Sequence, residues 1–183
     1  MKTLTLSIPG KPFSKQSARS RIVWPKGAEM MKGSELKKKV FVSHYQAADI
    51  KNSEKKVRLH IKSQLPLGWV PHDGPIVIEN LIFSFPLVSG LKAHERREAL
   101  AGRMVPKDTQ PDVQDNLMKG CIDAMEGLVF TNDGKIVGVR STLKCYWKKP
   151  GTFIRMAFFD DRADYYDYIT RETAKGILQT EDP

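Results

Sequence analysis

The chain has 183 residues, 40% of them hydrophobic, which suits one domain able to bury a core and argues against wholesale disorder. With 30 Lys and Arg against 21 Asp and Glu it carries a formal charge of +9, a surplus that favours a polyanionic partner, although the same charge would serve solubility or an anionic lipid surface. The opening MKTLTLSIPGKPF alternates and is not a signal-peptide core, no run reaches the roughly 20 apolar residues of a membrane span, and neither the 2 cysteines nor the 4 histidines have zinc-ligand spacing.

Leu4, Leu6 and Ile8 alternate with Thr3, Thr5 and Ser7, the pattern of a half-buried strand, and Pro9-Gly10 ends it. Residues 11–39 form a basic loop in which Lys11, Lys15, Arg19, Arg21, Lys26 and Lys32 are interleaved with Pro, Ser and Gly, with a short strand at Arg21–Trp24. The loop reads either as a solvated connection or as an arm that meets phosphates. Residues 47–64 put Ala47, Ile50, Val57 and Ile61 at helical spacing, with Lys51, Lys55, Lys56, Arg58 and Lys62 on the outer face. Beyond Pro66, Gly68 and Pro71, the run Pro75–Phe85 reads as a strand whose alternation slips at Glu79-Asn80, predicting a bulge. Leu91–Ala101 is a charged helical stretch closed by Gly102, and Arg96, Arg97 and Arg103 make it a candidate contact for a polyanionic partner.

Residues 103–114 are polar and turn-rich. Asp115–Met125 reads as an amphipathic helix with Leu117, Cys121, Ile122 and Met125 on one face and Asp115 as its N-cap. Cys121 takes the place of a small buried hydrophobe. A turn at Thr131–Gly134 precedes the strand Ile136–Trp147, which Pro150-Gly151 joins to Thr152–Phe159 as a hairpin. Residues 160–183 read as a peripheral helix, and no repeat or linker divides the chain, so 1–183 is taken as one domain.

The stretch Lys107–Lys144 concentrates Asp112, Asp115, Asp123 and Asp133, with Lys119 among them. Three carboxylates converging from a loop, a helix start and a turn can hold Mg²⁺ with its waters. Such an ion beside a phosphodiester polarises the phosphoryl oxygen and stabilises the leaving alkoxide. Lys119 stands one helical turn after Asp115, where an ammonium can neutralise charge on the scissile phosphate. Asp115, Lys119 and Asp123 equally describe a solvated ladder worth roughly a few tenths of a kcal/mol per pair. Asn-Asp-Gly at 132–134 is strong turn chemistry that needs no metal, and Asp112 also reads as a plain loop acid. The residue pattern alone leaves both readings open.

The run PDVQDNLMKGCIDAMEGLVFTNDGKIV resembles the signature of the RusA-type Holliday-junction resolvases, approximately P-D-x-D-N-L-x-K-x-x-x-D-A-L-x-G-x-x-x-x-D-D-x-x-I. SIPGKPFSKQSAR resembles the family's opening strand and basic loop, and Ile136–Phe159, with Lys144 and Tyr146, its closing strands. The resemblance covers the first strand and residues 76–159. It implies an α/β (α+β) fold, a small mixed sheet with helices packed on it, in a homodimer with its catalytic core at about 75–159. The implied activity is an endodeoxyribonuclease that resolves four-way DNA junctions by paired symmetric nicks in recombination and repair. It would use Mg²⁺, with Mn²⁺ as a substitute, and would need no organic cofactor and no membrane. The implied setting is a bacterial or phage-infected cytoplasm.

Through the resemblance, Asp112, Asp115, Lys119 and Asp133 are the catalytic set and the first, second and fourth of these the metal ligands. Asp123, Asn116 and Asn132 are expected to support them, and Lys11, Lys15, Arg19, Arg21 and Lys144 to meet DNA. Two positions depart from the family pattern. Val113 and Gln114 both intervene where one residue is usual between the first two acids, and Asn132 stands where an acid is usual. These departures motivate a second expectation, a branched-DNA-binding module with impaired catalysis. A third is a nuclease for flaps or forks.

Overall fold

Strand β4 (Ile76–Phe85) organises the fold because most of it is apolar and most of it is buried. A strand buried on both faces belongs in the middle of a sheet with layers above and below. In the computed structural model, which describes residues 1–15, 19–24, 41–45 and 48–178, β4 is that central strand. The order is β1 (Lys2–Pro9), β8 (Gly151–Phe158), β4, β7 (Thr142–Tyr146), β5 (Val105–Pro106), and β6 (Ile136–Val139) also pairs with β4. β6 and β7 run parallel to β4 along one edge, while β8 runs antiparallel to β4 and β1. The result is a six-stranded mixed sheet in an α+β fold, as the family resemblance implies. A separate two-stranded sheet pairs β2 (Arg19–Val23) with β3 (Phe41–Tyr45). The remainder of the basic loop, residues 16–18 and 25–39, lies outside the described residues, as do residues 40, 46–47 (with Ala47 of the expected helix face) and 179–183.

One face of the sheet carries the main core. Leu4, Leu6 and Ile8 of β1, Ile76, Ile78, Leu81 and Phe83 of β4, and Ile154, Met156 and Phe158 of β8 meet two helices. These are α1 (Ala48–Lys62), through Val57 and Ile61, and α3 (Lys119–Met125) with the helical turn before it, through Leu117, Cys121, Ala124 and Met125. Full burial stabilises by about 1.5–3 kcal/mol for each large side chain of this kind. On the opposite face Val77, Ala157 and Phe159 lie under Tyr165 and Tyr168 of α4 (Arg162–Leu178). The short helix α2 (Ala93–Leu100) ends where expected, with Gly102 at φ +96°. No described helix is long and apolar enough to cross a membrane.

The bulge in β4 is present. Its register against β8 shifts between Ile78 and Asn80, and the released Glu79 pairs with Arg155 at 2.7 Å and accepts from the Tyr168 hydroxyl at 3.1 Å.

Two expectations are overturned. The strand Ile136–Trp147 is broken into β6 and β7, and neither forms a hairpin with β8. β4 lies between β7 and β8, because the most apolar strand takes the doubly covered central position. Arg58, placed on the solvated face of α1, instead reaches α3. Its Nη1 lies 3.1 Å from the carbonyl oxygen of Ala124 and 3.0 Å from that of Glu126, where α3 leaves carbonyls without helical partners.

Candidate active site

Asp112 opens the helix that carries the acids. Its Oδ1 accepts the backbone N–H groups of Gln114 at 2.8 Å and Asp115 at 3.0 Å, so Asp112 is the N-cap, not Asp115. The turn that follows, Val113–Met118, is π-helical. Leu117 donates its N–H to the Asp112 carbonyl at 3.2 Å, and Lys119 donates to the carbonyl of Gln114, each five residues back. A helix takes up one more residue per turn in this way without breaking its axis. The additional residue between the two acids is wound into the helix, not looped out, and both carboxylates stay on its opening turn.

The segment leading to Asp112 is tied to β7. Lys144 Nζ donates to the carbonyls of Thr109 at 2.7 Å and Pro111 at 2.9 Å. The Lys107 N–H donates to the Lys144 carbonyl at 3.1 Å, and the Lys107 ammonium lies 5.2 Å from the ring centroids of both Phe85 and Tyr146. Lys144, expected at the DNA surface, is therefore a strut for the Asp112 loop.

Asp133 is held by a different apparatus. It begins a 3-10 turn, Asp133–Lys135, capped by Asn132, whose Oδ1 accepts the Gly134 N–H at 2.8 Å. A Cβ on Gly134 would approach that oxygen to 2.9 Å, so a larger residue there would push on the cap. The Asn132 carbonyl oxygen thus closes the turn, a different task from the support expected of it. Asp73 clamps the turn from outside, accepting from Thr131 Oγ1 at 2.6 Å and meeting Lys135 Nζ at 3.1 Å. The Thr131 hydroxyl and the Lys135 ammonium hold the Asp73 carboxyl below its ordinary pKa. Asp73 carries no sequence signal of this role. Its hydroxyl partner is 58 positions away, and Asp-Gly between two prolines reads as a chain break.

The sheet separates the two groups. β4 pairs Phe83 with Lys144, the strut of the Asp112 loop, and Ile76 with Ile136, which follows the Asp133 turn. The seven steps from residue 76 to 83 amount to roughly 20 Å at about 3.3 Å per residue. This follows from topology: a helix joining parallel strands runs back along them, so its start and the start of the next strand lie at opposite ends. Asp112, Asp115 and Lys119 share one end of the sheet and Asp133 the other. Among the described residues no three His, Cys, Asp or Glu side chains are close enough to hold one metal ion. The donor chemistry, hard carboxylate oxygens, suits Mg²⁺, but the three expected ligands do not meet within one chain.

Asp115, Lys119 and Asp133 are exposed and, among the described residues, form no ion pair or side-chain hydrogen bond. The Asp–Lys–Asp ladder is not made. Asp123 turns to Lys15, whose Nζ lies 2.8 Å from Asp123 Oδ2 and 3.3 Å from Glu54 Oε2. Burial works against the charge on Lys15, but the Asp123 and Glu54 carboxylates outweigh it and raise its pKa above the ordinary lysine value. The Lys15 N–H donates to the Asn116 carbonyl at 3.0 Å, and a Cβ on Gly120 would come within 2.9 Å of Lys15 Cβ. Lys15, expected to meet DNA, fastens the basic loop to α1 and to the helix that begins at Asp112. Asn116 meets the loop through its backbone carbonyl and Asp123 through this ion pair.

Lys11 is exposed. Arg19 and Arg21 fall in β2, and their side chains lie outside the described residues. Arg103 pairs with Glu98 at 2.9 Å and Arg96 donates to the Val88 carbonyl, so of the three arginines proposed for DNA arms only Arg97 has no such local partner among the described residues. Cys121 is buried, which pushes its thiol up to about 12 and leaves it inert, in keeping with its reading as a core residue.

Exposed acids and an unpaired ammonium on the opening turns of one helix, in a basic α+β protein, are compatible with chemistry on a phosphodiester. The family profile Endodeoxyribonuclease RusA matches residues 10–157. The chain belongs to this family and is an endodeoxyribonuclease of the RusA class, whose members act on Holliday junctions. No match was found among curated proteins.

Proposed function

We propose that the protein resolves four-way DNA junctions by paired symmetric nicks, with Mg²⁺ or Mn²⁺, as a homodimer in the cytoplasm of a bacterium or a phage-infected cell. The observation that carries the dimer is the separation of the acids. A divalent ion needs oxygens about 2.1 Å from itself, which Asp133 does not supply to Asp112 and Asp115 of its own chain across the length of the sheet. A second copy related by a two-fold axis would bring its Asp133 to the Asp112–Asp115 end, and the same operation would build a second site. A four-way junction has matching two-fold symmetry, so two such sites face opposed strands. The ion would be held by Asp112, Asp115 and Asp133 of the second copy, and would supply charge neutralisation at the scissile phosphate and an acidified water.

The chain's own groups do the rest. Lys119, one turn along from Asp115, is placed to meet the phosphate's negative charge. The Asp112 cap fixes the helix start, while the struts from Lys144 and Lys107 hold the loop before it. The π-turn favours catalysis over the impaired-module reading, because it keeps Asp112 at the helix start despite the longer spacer.

The test is a mobile four-way junction incubated with the purified protein and Mg²⁺, Mn²⁺ or a chelator, beside flaps, forks and linear duplex. The expected result is metal-dependent nicking at symmetric positions on opposed strands of the junction, with the other substrates cut poorly. Tight binding with no nicks under any metal would favour the DNA-binding module. Preferential cutting of flaps or forks would make the protein a nuclease for those structures.

A further inference from the structure

A cavity of about 430 Å³ opens between the strap Pro9–Ser14 and one face of α1. On the helix side it is lined by Ile50, Ser53, Lys56, Val57 and His60, which recur at helical spacing and therefore share one face. The strap is clamped at both ends. Gly10 donates its N–H to the Pro150 carbonyl at 3.1 Å, and Lys15 donates its N–H to the Asn116 carbonyl at 3.0 Å. The Lys15 ammonium, between Glu54 and Asp123, locks the strap to both helices. The wall is thus a built part of the fold.

The charge of this cavity has one sign. Lys11, Lys56 and His60 line it with the hydroxyl-bearing Ser14 and Ser53, and none of the described lining residues is acidic. Among the described residues Lys11, Lys56 and His60 form no ion pair and no side-chain hydrogen bond. The two nearby carboxylates on the helices, Glu54 and Asp123, both turn to Lys15 and not into the cavity, and the one net negative charge of that cluster is outweighed by Lys11 and Lys56. A concave surface with uncommitted cations and hydroxyls and low-dielectric walls focuses positive potential. Its floor is apolar, with Ile8, Phe13 and Val57.

The position is also defined. Pro9 at the end of β1 pairs with Gly151, and Gly151 pairs with Ser84 at the end of β4. The cavity therefore opens at the same end of the sheet as Asp112, Asp115 and Lys119, and Phe13 of its floor lies against Gly120, the residue after Lys119.

We propose that this cavity is a binding site for the sugar–phosphate backbone of the DNA strand that continues from the scissile position. Lys11, Lys56 and His60 would take the phosphate, the two serine hydroxyls would donate to its oxygens, and the apolar floor would accept the deoxyribose. Its volume suits a nucleotide unit better than a lone inorganic anion. The assignment rests on the reading of the protein as a junction-cutting nuclease, and it adds the place where one arm is held.

Two variants test it. Lys11→Ala with Lys56→Ala removes the cations, and Ser53→Trp fills the cavity while keeping them; all three residues are exposed, so folding is undisturbed. Binding to a four-way junction is measured across a salt series with metal withheld, and cleavage is measured with metal. The double alanine variant is expected to bind about tenfold more weakly, with a salt slope smaller by about 2, since each lost phosphate contact removes about 0.9. Ser53→Trp is expected to show a similar loss of affinity. Unchanged affinity and slope in the double variant would overturn the proposal. So would a loss in the double variant with none in Ser53→Trp, because the lysines would then act only through the general field. A wild-type protein that ignored junctions would instead sink the functional reading. In that case the same comparison on single-stranded and linear duplex DNA decides the cavity.

Discussion

The separation of Asp133 from Asp112 and Asp115 leads to a prediction that no single-chain site makes. Asp115→Asn and Asp133→Asn are each expected to abolish cleavage as homodimers, since each removes a carboxylate from both sites. A heterodimer with one chain of each kind should regain activity. In that molecule one site collects both substitutions and the other collects neither. The geometry sets this pairing: an aspartate side chain has only two bonds between its Cα and its carboxyl carbon, and an ion about 2.1 Å from each ligand cannot bridge the roughly 20 Å between Ile76 and Phe83 of β4. A heterodimer isolated through two different tags should carry about half the sites of wild type, and random mixing of equal amounts about one quarter, because about half the dimers are then mixed. The readout is single-turnover cleavage of a labelled junction, with single nicks replacing paired ones. No recovery in a verified heterodimer would mean that each chain completes its own site, and the proposed exchange of Asp133 would be wrong.

Asp133→Asn should cut at least a hundredfold more slowly while binding the junction as well as wild type or better, because removing a carboxylate also removes repulsion from phosphate; a band-shift titration beside the cleavage assay separates the two. Deleting Gln114 should convert the π-turn to an α-turn and leave the melting temperature within a few degrees of wild type, roughly 1 kcal/mol or less; collapse of the fold by circular dichroism would show that the π-turn is structurally required. Arg58→Ala should destabilise by about 1.5–3 kcal/mol in denaturant unfolding, through loss of charged donors to the end of α3. Lys15→Met should lower stability by a similar amount and leave Glu54 and Asp123 unpaired. The folded pKa of Lys15 lies above its unfolded value, so its contribution is complete below about pH 10.5 and fades only as pH rises through the folded value; a difference between wild type and variant that vanished at pH 8 would contradict this.

Elements were legible where one residue's environment repeats with a fixed period. Leu4, Leu6 and Ile8 located β1 because alternate residues of that strand meet the core, and Val57 and Ile61 located α1 in the same way. The slip at Glu79 was legible as a bulge because it broke such a period. The pairing of β8 was not. Proximity in sequence and a Pro-Gly turn favoured a hairpin with β7, whereas the apolar content of β4, distant in the chain, claimed the position between them. Lys15, Arg58 and Lys144 looked alike as surface cations. What distinguishes them is what the fold places opposite each: two carboxylates, a row of open carbonyls, and a loop's backbone.

The acids illustrate a sharper distinction. Their identity came from the motif, and their proximity was assumed from it. Yet the same motif contains the element order that places them apart, because a helix that starts at Asp112 and returns to a parallel strand after Asp133 must carry the two to opposite ends of the layer. A catalytic set written across a strand–helix–strand crossover therefore points to assembly as much as to chemistry. The extra residue between Asp112 and Asp115 does not alter that logic, since the π-turn absorbs it at the helix start. What the spacer changes is the direction from which Asp115 looks out of that start, and the Gln114 deletion varies this direction together with the cap and π-turn hydrogen bonds that Gln114 makes. Junction cleavage by that variant at the wild-type rate would mean that the ion tolerates either direction. A selective loss of cleavage with binding intact would mean that the π-turn aims Asp115.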